Sequence, residues 1–148
     1  MMRRSVLRTV AVVMAAATLR PLQLLAGQWN KAAFDARALA DALKGIGATA
    51  TEASDQIVLK APEIAENGAI VPLEIASEIP GTQAIYILVD KNPQPLTAVF
   101  EFANGAEAFV ATRIKMAESS RIRIVARAGG KFYVTMRDVK VTIGGCGA

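Results

Sequence analysis

Apolar and polar residues alternate in several short segments between positions 56 and 143, and this two-residue period limits the fold more than any other feature. Successive side chains of a β-strand point to opposite faces, so such alternation predicts strands that bury one face. The alternating apolar sets are Val71, Leu73 and Ile75; Ile85, Ile87 and Val89; Ile122, Ile124 and Ala126; and Phe132, Val134 and Met136. Turn dipeptides between the segments are Asn67-Gly68, Pro80-Gly81, Asn92-Pro93, Asn104-Gly105 and Gly129-Gly130. About seven short strands separated by such turns predict an all-β antiparallel sandwich.

A helix is predicted before the strands, over residues 29–46. This segment is rich in alanine, and Gly45 and Gly47 provide a stop signal. The apolar residues at helical spacing are Phe34, Leu39, Leu43 and Ile46. Their stripe is expected to pack on the sandwich, and docking on a partner chain is the alternative.

The N-terminal region has the pattern of an export signal over residues 1–26. Arg3 and Arg4 form a twin-arginine pattern, and an uncharged apolar stretch follows over residues 9–19. That stretch has about half of the roughly 20 residues that a membrane-spanning helix requires. We therefore expect a periplasmic protein exported by the twin-arginine route, without a stable membrane anchor. Cleavage after Ala17 or after Ala26 stays open, and an amphipathic anchor is the alternative to a signal.

Charge and composition exclude several classes of function. The net charge is +4, but four of the 17 Lys and Arg residues lie in the first twenty positions, and the other 13 equal the 13 Asp and Glu residues. No basic stripe of the kind that nucleic-acid-binding proteins show is left in the predicted domain. The absence of histidine excludes imidazole-based zinc and haem sites and a Ser-His-Asp triad. No metal and no cofactor are predicted.

The single cysteine, Cys146, lies in a glycine-rich tail over residues 144–148. Glycine carries no Cβ, so Gly144, Gly145 and Gly147 predict a thin, mobile arm. Five extended residues reach about 17 Å, far enough to bring a thiol into the active site of another protein. One cysteine cannot form an intramolecular disulfide. A disordered tail with an incidental cysteine is the alternative.

The thiol of Cys146 has no neighbouring Lys, Arg or His that would lower its pKa from the ordinary value of about 8.5. The carboxylate of Ala148 is a close negative charge and opposes ionisation of the thiol. The sequence thus predicts a passive thiol that an enzyme activates.

The strand segment 131–143 runs directly into Gly-Gly-Cys-Gly, and segments 60–74, 79–82, 89–95 and 112–116 lie upstream of it. Together these segments resemble the SoxY family, the sulfur carriers of bacterial thiosulfate oxidation. The resemblance covers roughly residues 30 to 148. The family tail reads Gly-Gly-Cys-Gly-Gly, and Ala148 replaces its last glycine here.

This resemblance implies an immunoglobulin-like sandwich with a leading helix over residues 27–143 and a carrier arm over 144–148. It implies that thiosulfate is joined oxidatively to Cys146, that the terminal sulfone leaves as sulfate, and that the remaining sulfane sulfur is processed further. The implied partners are a SoxZ-like subunit, a c-type cytochrome thiosulfate-coupling enzyme, a sulfate thiohydrolase and a sulfane dehydrogenase. The protein itself is then a carrier and not an enzyme.

Two other functions stay open from the residues alone. A thiol-dependent peroxidase or redox sensor would need a lowered thiol pKa at Cys146, and a structural sandwich subunit would leave the tail without a role. Arg121, Arg123 and Arg127 share one strand face. That face is either solvated or a patch for anionic sulfur species or an acidic partner. Val139, Val141 and Ile143 are expected to anchor the base of the arm in the last strand.

Overall fold

The computed structural model describes residues 30–143, which contain two short helices and nine strands. The helices are α1 (Lys31–Asp35) and α2 (Leu39–Gly45). The strands are β1 (Glu52–Ala53), β2 (Ile57–Lys60), β3 (Ile64–Asn67), β4 (Val71–Ser77), β5 (Thr82–Val89), β6 (Leu96–Glu101), β7 (Phe109–Ile114), β8 (Ser120–Ala128) and β9 (Lys131–Ile143). The predicted export signal over 1–26 and the predicted arm over 144–148 lie outside the described residues. No helix within 30–143 is long and apolar enough to cross a membrane.

The strands form two sheets, which confirms the predicted immunoglobulin-like sandwich. The larger sheet has the order β1-β9-β8-β5-β6, and the smaller has the order β2-β4-β7. Pairing is antiparallel except along one edge of β9, where β1 and β3 run parallel to it. β1 lies beside the first part of β9, with Glu52 opposite Tyr133, and β3 lies beside the last part, with Asn67 opposite Ile143.

The main core lies between the two sheets and contains the predicted alternating residues. Val71, Leu73 and Ile75 of β4 are buried, and their neighbours Pro72 and Glu74 are exposed. The residues of β5 and β8 that enter the same core are Ile85, Ile87, Val89, Ile122, Ile124 and Ala126. Full burial of one such aliphatic side chain contributes roughly 1.5–3 kcal/mol relative to exposure.

A second apolar layer covers the other face of β5. Tyr86 and Leu88 are buried there with Val125 and Val134, although the alternating pattern predicts one buried face for this strand. The helical residues Phe34, Leu39, Leu43 and Ile46 pack in this layer. The helical segment thus packs on its own sandwich, as expected, because β5 is central and needs cover on both faces.

The single helix predicted over residues 29–46 is wrong, because the chain leaves the helical conformation between α1 and α2. Ala36 has ψ 133° and Ala38 has ψ 139°, which are extended values. The break lets the two helices fold against each other, so that Gly45 lies against Ala33. At about 1.5 Å per residue, a straight helix would hold Ala33 and Gly45 about 18 Å apart.

The side chain of Asn30 joins the two helices. Its Oδ1 accepts a hydrogen bond from the backbone N–H of Ala33 at 3.1 Å and caps α1. Its Nδ2 donates to the carbonyl of Gly45 at 2.7 Å, at the end of α2. One amide side chain therefore satisfies a donor of the first helix and an acceptor of the second.

We expect Gly45→Ala to destabilise the fold by about 1–3 kcal/mol, the usual range for overpacking. A Cβ at this position would lie 2.8 Å from Ala33 Cβ and 2.9 Å from Ala33 Cα, so the backbones of the two helices must separate. Urea unfolding measures the change, and Ala40→Ser at an exposed position of α2 is the control. Equal stability of Gly45→Ala and the wild type would contradict the close helix contact.

Candidate functional site

The residues predicted to carry the function, Cys146 with Gly144, Gly145 and Gly147, lie outside the described residues and stay predictions. The structure describes the platform from which they extend. β9 is described to Ile143, three residues before Cys146. The geometry around the end of β9 therefore defines the point from which the chain continues toward Cys146.

The end of β9 is held by backbone hydrogen bonds to the β3–β4 turn. The N–H of Gly68 donates to the carbonyl of Ile143 at 2.8 Å, and the carbonyl of Gly68 accepts from the N–H of Met116 at 2.7 Å. Lys140 N–H donates to the carbonyl of Glu63 at 3.0 Å. Gly68 is buried and thus connects the last residue of β9 to the segment that follows β7. The backbone before residue 144 is fixed by this bridge.

Side chains hold the same end of the sandwich from the other side. Ser119 Oγ accepts a hydrogen bond from the N–H of Val141 at 2.8 Å. Asn92, in the predicted Asn-Pro turn, accepts from the N–H of Ala117 at 2.9 Å and donates to the carbonyl of Lys115 at 2.8 Å. These bonds order the segment between β7 and β8, which borders the end of β9.

Of the three apolar residues expected to anchor the end of β9, two pack in the core. Val139 is buried in the main core, and Val141 packs against it. Ile143 is 67% exposed, and the bond that anchors it is the one its carbonyl accepts from Gly68. The alternating pattern could not show this, because Ile143 lies one step beyond the edge of the core. The alternating pattern also did not predict strand β3, which pairs in parallel with the last part of β9 and holds its end.

The arginine face of β8 does not form an open anion site. Arg123 binds the carboxylate of Asp90 through two hydrogen bonds of 3.2 and 3.0 Å, and both side chains are mostly buried, with 18% and 21% exposure. Arg121 Nε donates to Asp138 at 3.0 Å, and this hydrogen bond and charge raise the pKa of Arg121. Carboxylates thus accept hydrogen bonds from Nε and Nη2 of both Arg121 and Arg123. Arg127 Nε is buried and makes no hydrogen bond within the described part of the chain.

Among residues 30–143, no group of three or more Cys, Asp or Glu residues is placed to hold a metal ion. An open groove of about 780 Å³ runs beside β9, and its charged lining includes Asp90, Arg121, Asp138 and Lys140. Three of these four residues already form ion pairs with each other or with Arg123.

We expect Arg123→Met to lower the free energy of unfolding by about 1–3 kcal/mol, because it leaves the mostly buried carboxylate of Asp90 without its partner. Arg121→Met is the matched control on the same face, and its stability should stay close to the wild type because the Arg121–Asp138 pair is exposed. Urea unfolding measures both. The double variant Arg123→Met/Asp90→Asn should recover part of the lost free energy of unfolding. If the two substitutions lower this free energy by strictly additive amounts, Arg123 and Asp90 do not interact directly.

Comparisons with known proteins point to one family. The family model of the sulfur oxidation protein SoxY matches residues 43–146, which include Cys146. The sulfur carrier protein SoxY from Chlorobium limicola f thiosulfatophilum has a solved structure with 39% identity and a TM-score of 0.66. The match covers 76% of this chain and 99% of that chain. No curated protein matches the chain.

Two further solved structures share the fold alone. They are the superoxide reductase (neelaredoxin) from Ignicoccus hospitalis and a point variant of that same protein. The variant is 14% identical to this chain, and the match covers 66% of this chain and 86% of the variant. The unsubstituted protein is 12% identical, and the match covers 62% of this chain and 94% of that protein. Both have a TM-score of 0.51. At this identity they support the sandwich architecture and carry no functional argument.

Proposed function

Because the chain belongs to the SoxY family of sulfur oxidation proteins, we propose that it carries sulfur intermediates covalently on Cys146 and presents them to the enzymes of thiosulfate oxidation. The observation that carries this proposal is the family match, which extends through Cys146, together with 39% identity to a sulfur carrier over most of the chain. The anchored end of β9 supports it, because the Gly68–Ile143 bond fixes the backbone of the last described residue, three positions before Cys146.

In the proposed carrier cycle, the intermediates of three successive steps stay attached to the sulfur atom of Cys146. The Cys146 thiol and thiosulfate lose two electrons and a proton as a sulfur–sulfur bond forms, and the electrons pass to a c-type cytochrome of the coupling enzyme. Water then cleaves the terminal sulfone as sulfate and leaves a persulfide on Cys146. A sulfane dehydrogenase processes the remaining sulfane sulfur. The carrier supplies the attachment atom in each step, and separate enzymes supply the catalytic groups.

The chain's composition supports a role as a carrier subunit acted on by other enzymes. It contains no histidine, and its only cysteine is Cys146. A SoxZ-like subunit, a coupling enzyme, a sulfate thiohydrolase and a sulfane dehydrogenase are the proposed partners. The twin-arginine pattern at Arg3 and Arg4, followed by a short apolar stretch, supports export to the periplasm. The comparisons do not favour a thiol-dependent peroxidase or redox sensor.

Protein isolated from cells that oxidise thiosulfate is expected to carry sulfane or thiosulfate additions on Cys146, which a reductant removes. Intact-protein mass spectrometry measures them. Cys146→Ser is the matched control and should carry none. Its stability should stay within about ±0.5 kcal/mol of the wild type, as for an ordinary surface change, because residue 146 follows the last paired residue of β9. Only unmodified thiol during active thiosulfate oxidation would contradict the carrier role.

The glycines beside Cys146 are expected to matter for delivery and not for thiol chemistry. Gly145→Val and Gly147→Val should lower turnover by the partner enzymes, because valine thickens the segment and restricts its backbone. Reaction of Cys146 with a small thiol reagent should change little. Ala148→Gly is the control and should be nearly neutral. Normal enzyme turnover of both valine variants would show that the glycines are incidental.

A further inference from the structure

Two of the four asparagines in the chain precede a glycine, at Asn67-Gly68 and at Asn104-Gly105. An asparagine in this position can deamidate without an enzyme, because the backbone nitrogen of the next residue attacks the carbon of the side-chain amide. Glycine favours the attack, since it carries no Cβ beside that nitrogen and its backbone turns freely. The two pairs are alike in sequence, and the structure places them in different surroundings.

The Asn67-Gly68 pair is held by hydrogen bonds at every group that the attack would use. Gly68 is buried, and its N–H donates to the carbonyl of Ile143 at 2.8 Å. The Oδ1 of Asn67 accepts a hydrogen bond from the N–H of Ala69 at 2.8 Å. The Gly68 nitrogen can reach the Asn67 amide only after these bonds break. The bond that fixes the end of β9 therefore also protects Asn67.

Asn104 and Gly105 are the central residues of the turn between β6 and β7. The N–H of Ala106 closes this turn on the carbonyl of Ala103 at 3.0 Å, and Gly105 has φ 82°, as the third residue of a type II turn requires. Both central residues are exposed, and apart from chain neighbours no heavy atom lies within 4 Å of the Cβ position of Gly105. Within residues 30–143, neither the Asn104 side chain nor the Gly105 N–H makes a hydrogen bond.

The loop that contains this turn is tied to the sandwich at its two ends. The N–H of Phe102 donates to the carbonyl of Gln83 at 2.9 Å, and the carbonyl of Ala108 accepts from the N–H of Ser77 at 2.9 Å. Residues 103–107 between these bonds are all exposed. Rotation of the turn therefore breaks the backbone bond that closes it and uncovers no buried side chain.

The other two asparagines lack the conditions for attack. Asn92 precedes Pro93, whose nitrogen carries no hydrogen. Both ends of the Asn30 side chain are hydrogen-bonded, to the N–H of Ala33 and to the carbonyl of Gly45. The turn between β6 and β7 is therefore the place where an asparagine, a following glycine and a free backbone N–H coincide.

We propose that Asn104 is the site of spontaneous deamidation in this protein, converted to aspartate and isoaspartate while Asn67 keeps its amide. The Gly105 nitrogen gives up its proton and bonds to Cγ of Asn104, the Cγ–Nδ2 bond breaks, and ammonia leaves with that proton. The product is a cyclic succinimide. Water opens the ring at Cγ to give aspartate, or at the backbone carbonyl to give isoaspartate. No oxidant or reductant takes part, and the turn gains a negative charge.

The test is incubation of the purified full chain at mildly alkaline pH, which speeds the attack because the glycine nitrogen reacts without its proton. Peptide mapping by mass spectrometry follows both asparagines over time, and chromatography separates the isoaspartate peptide from the aspartate peptide. We expect Asn104 to react at least about tenfold faster than Asn67, because breaking even one buried hydrogen bond before the attack slows it by roughly that factor.

The same chain unfolded in urea is the matched control, since both asparagines then precede glycine in a solvated backbone and should react at similar rates. Asn104→Gln, which would have to close a larger ring, should remove most of the modification of the folded protein and leave its stability close to the wild type. Equal rates at the two asparagines of the folded chain would overturn the proposal. A difference that persisted in urea would also overturn it, because the local sequence and not the fold would then set the rates.

Discussion

The hydrogen bond from Gly68 N–H to the Ile143 carbonyl is the contact on which the functional geometry depends. It closes the parallel β3–β9 pairing and, through Met116, ties the strand end to the segment after β7. Gly68 uses both of its backbone groups in this bridge. Backbone bonds fix the end of a strand without requiring side-chain burial, so Ile143 can remain exposed beside the residues that lead to Cys146.

The alternating pattern predicted the sandwich because strand periodicity is a local property. It found the inward residues of β4, β5 and β8, which the structure places in the main core. It did not indicate that β5 is buried on both faces, because Tyr86 is covered by Phe132 of β9 and by helical residues that are far from it in the chain. The parallel strands β1 and β3 were also missed, because short strands of two and four residues carry little periodicity.

Contacts between distant residues explain the other differences. The break between α1 and α2 depends on Asn30, Ala33 and Gly45 meeting, and no local propensity in an alanine-rich segment indicates that contact. The arginine face of β8 was visible in sequence, but its pairing was not. Asp90 follows the end of β5 and Asp138 lies on β9, and only the sheet order brings them beside Arg123 and Arg121. The predicted site at Cys146 rested on tail composition and family resemblance, and the family match includes this residue.

In the proposed carrier function, the register of β3 on β9 sets the point from which Cys146 is delivered. Each residue released from the strand end would add about 3.3–3.6 Å to the reach of Cys146. Greater reach would also weaken the requirement that an enzyme contact the sandwich, because a longer tether lowers the effective concentration of the thiol at any one site. Pairing that continues to Ile143 places Cys146 three residues after the fixed strand end. In the proposed function, this short separation couples reaction at Cys146 to recognition of the domain surface, so that one thiol is offered to several enzymes and each enzyme first binds the carrier.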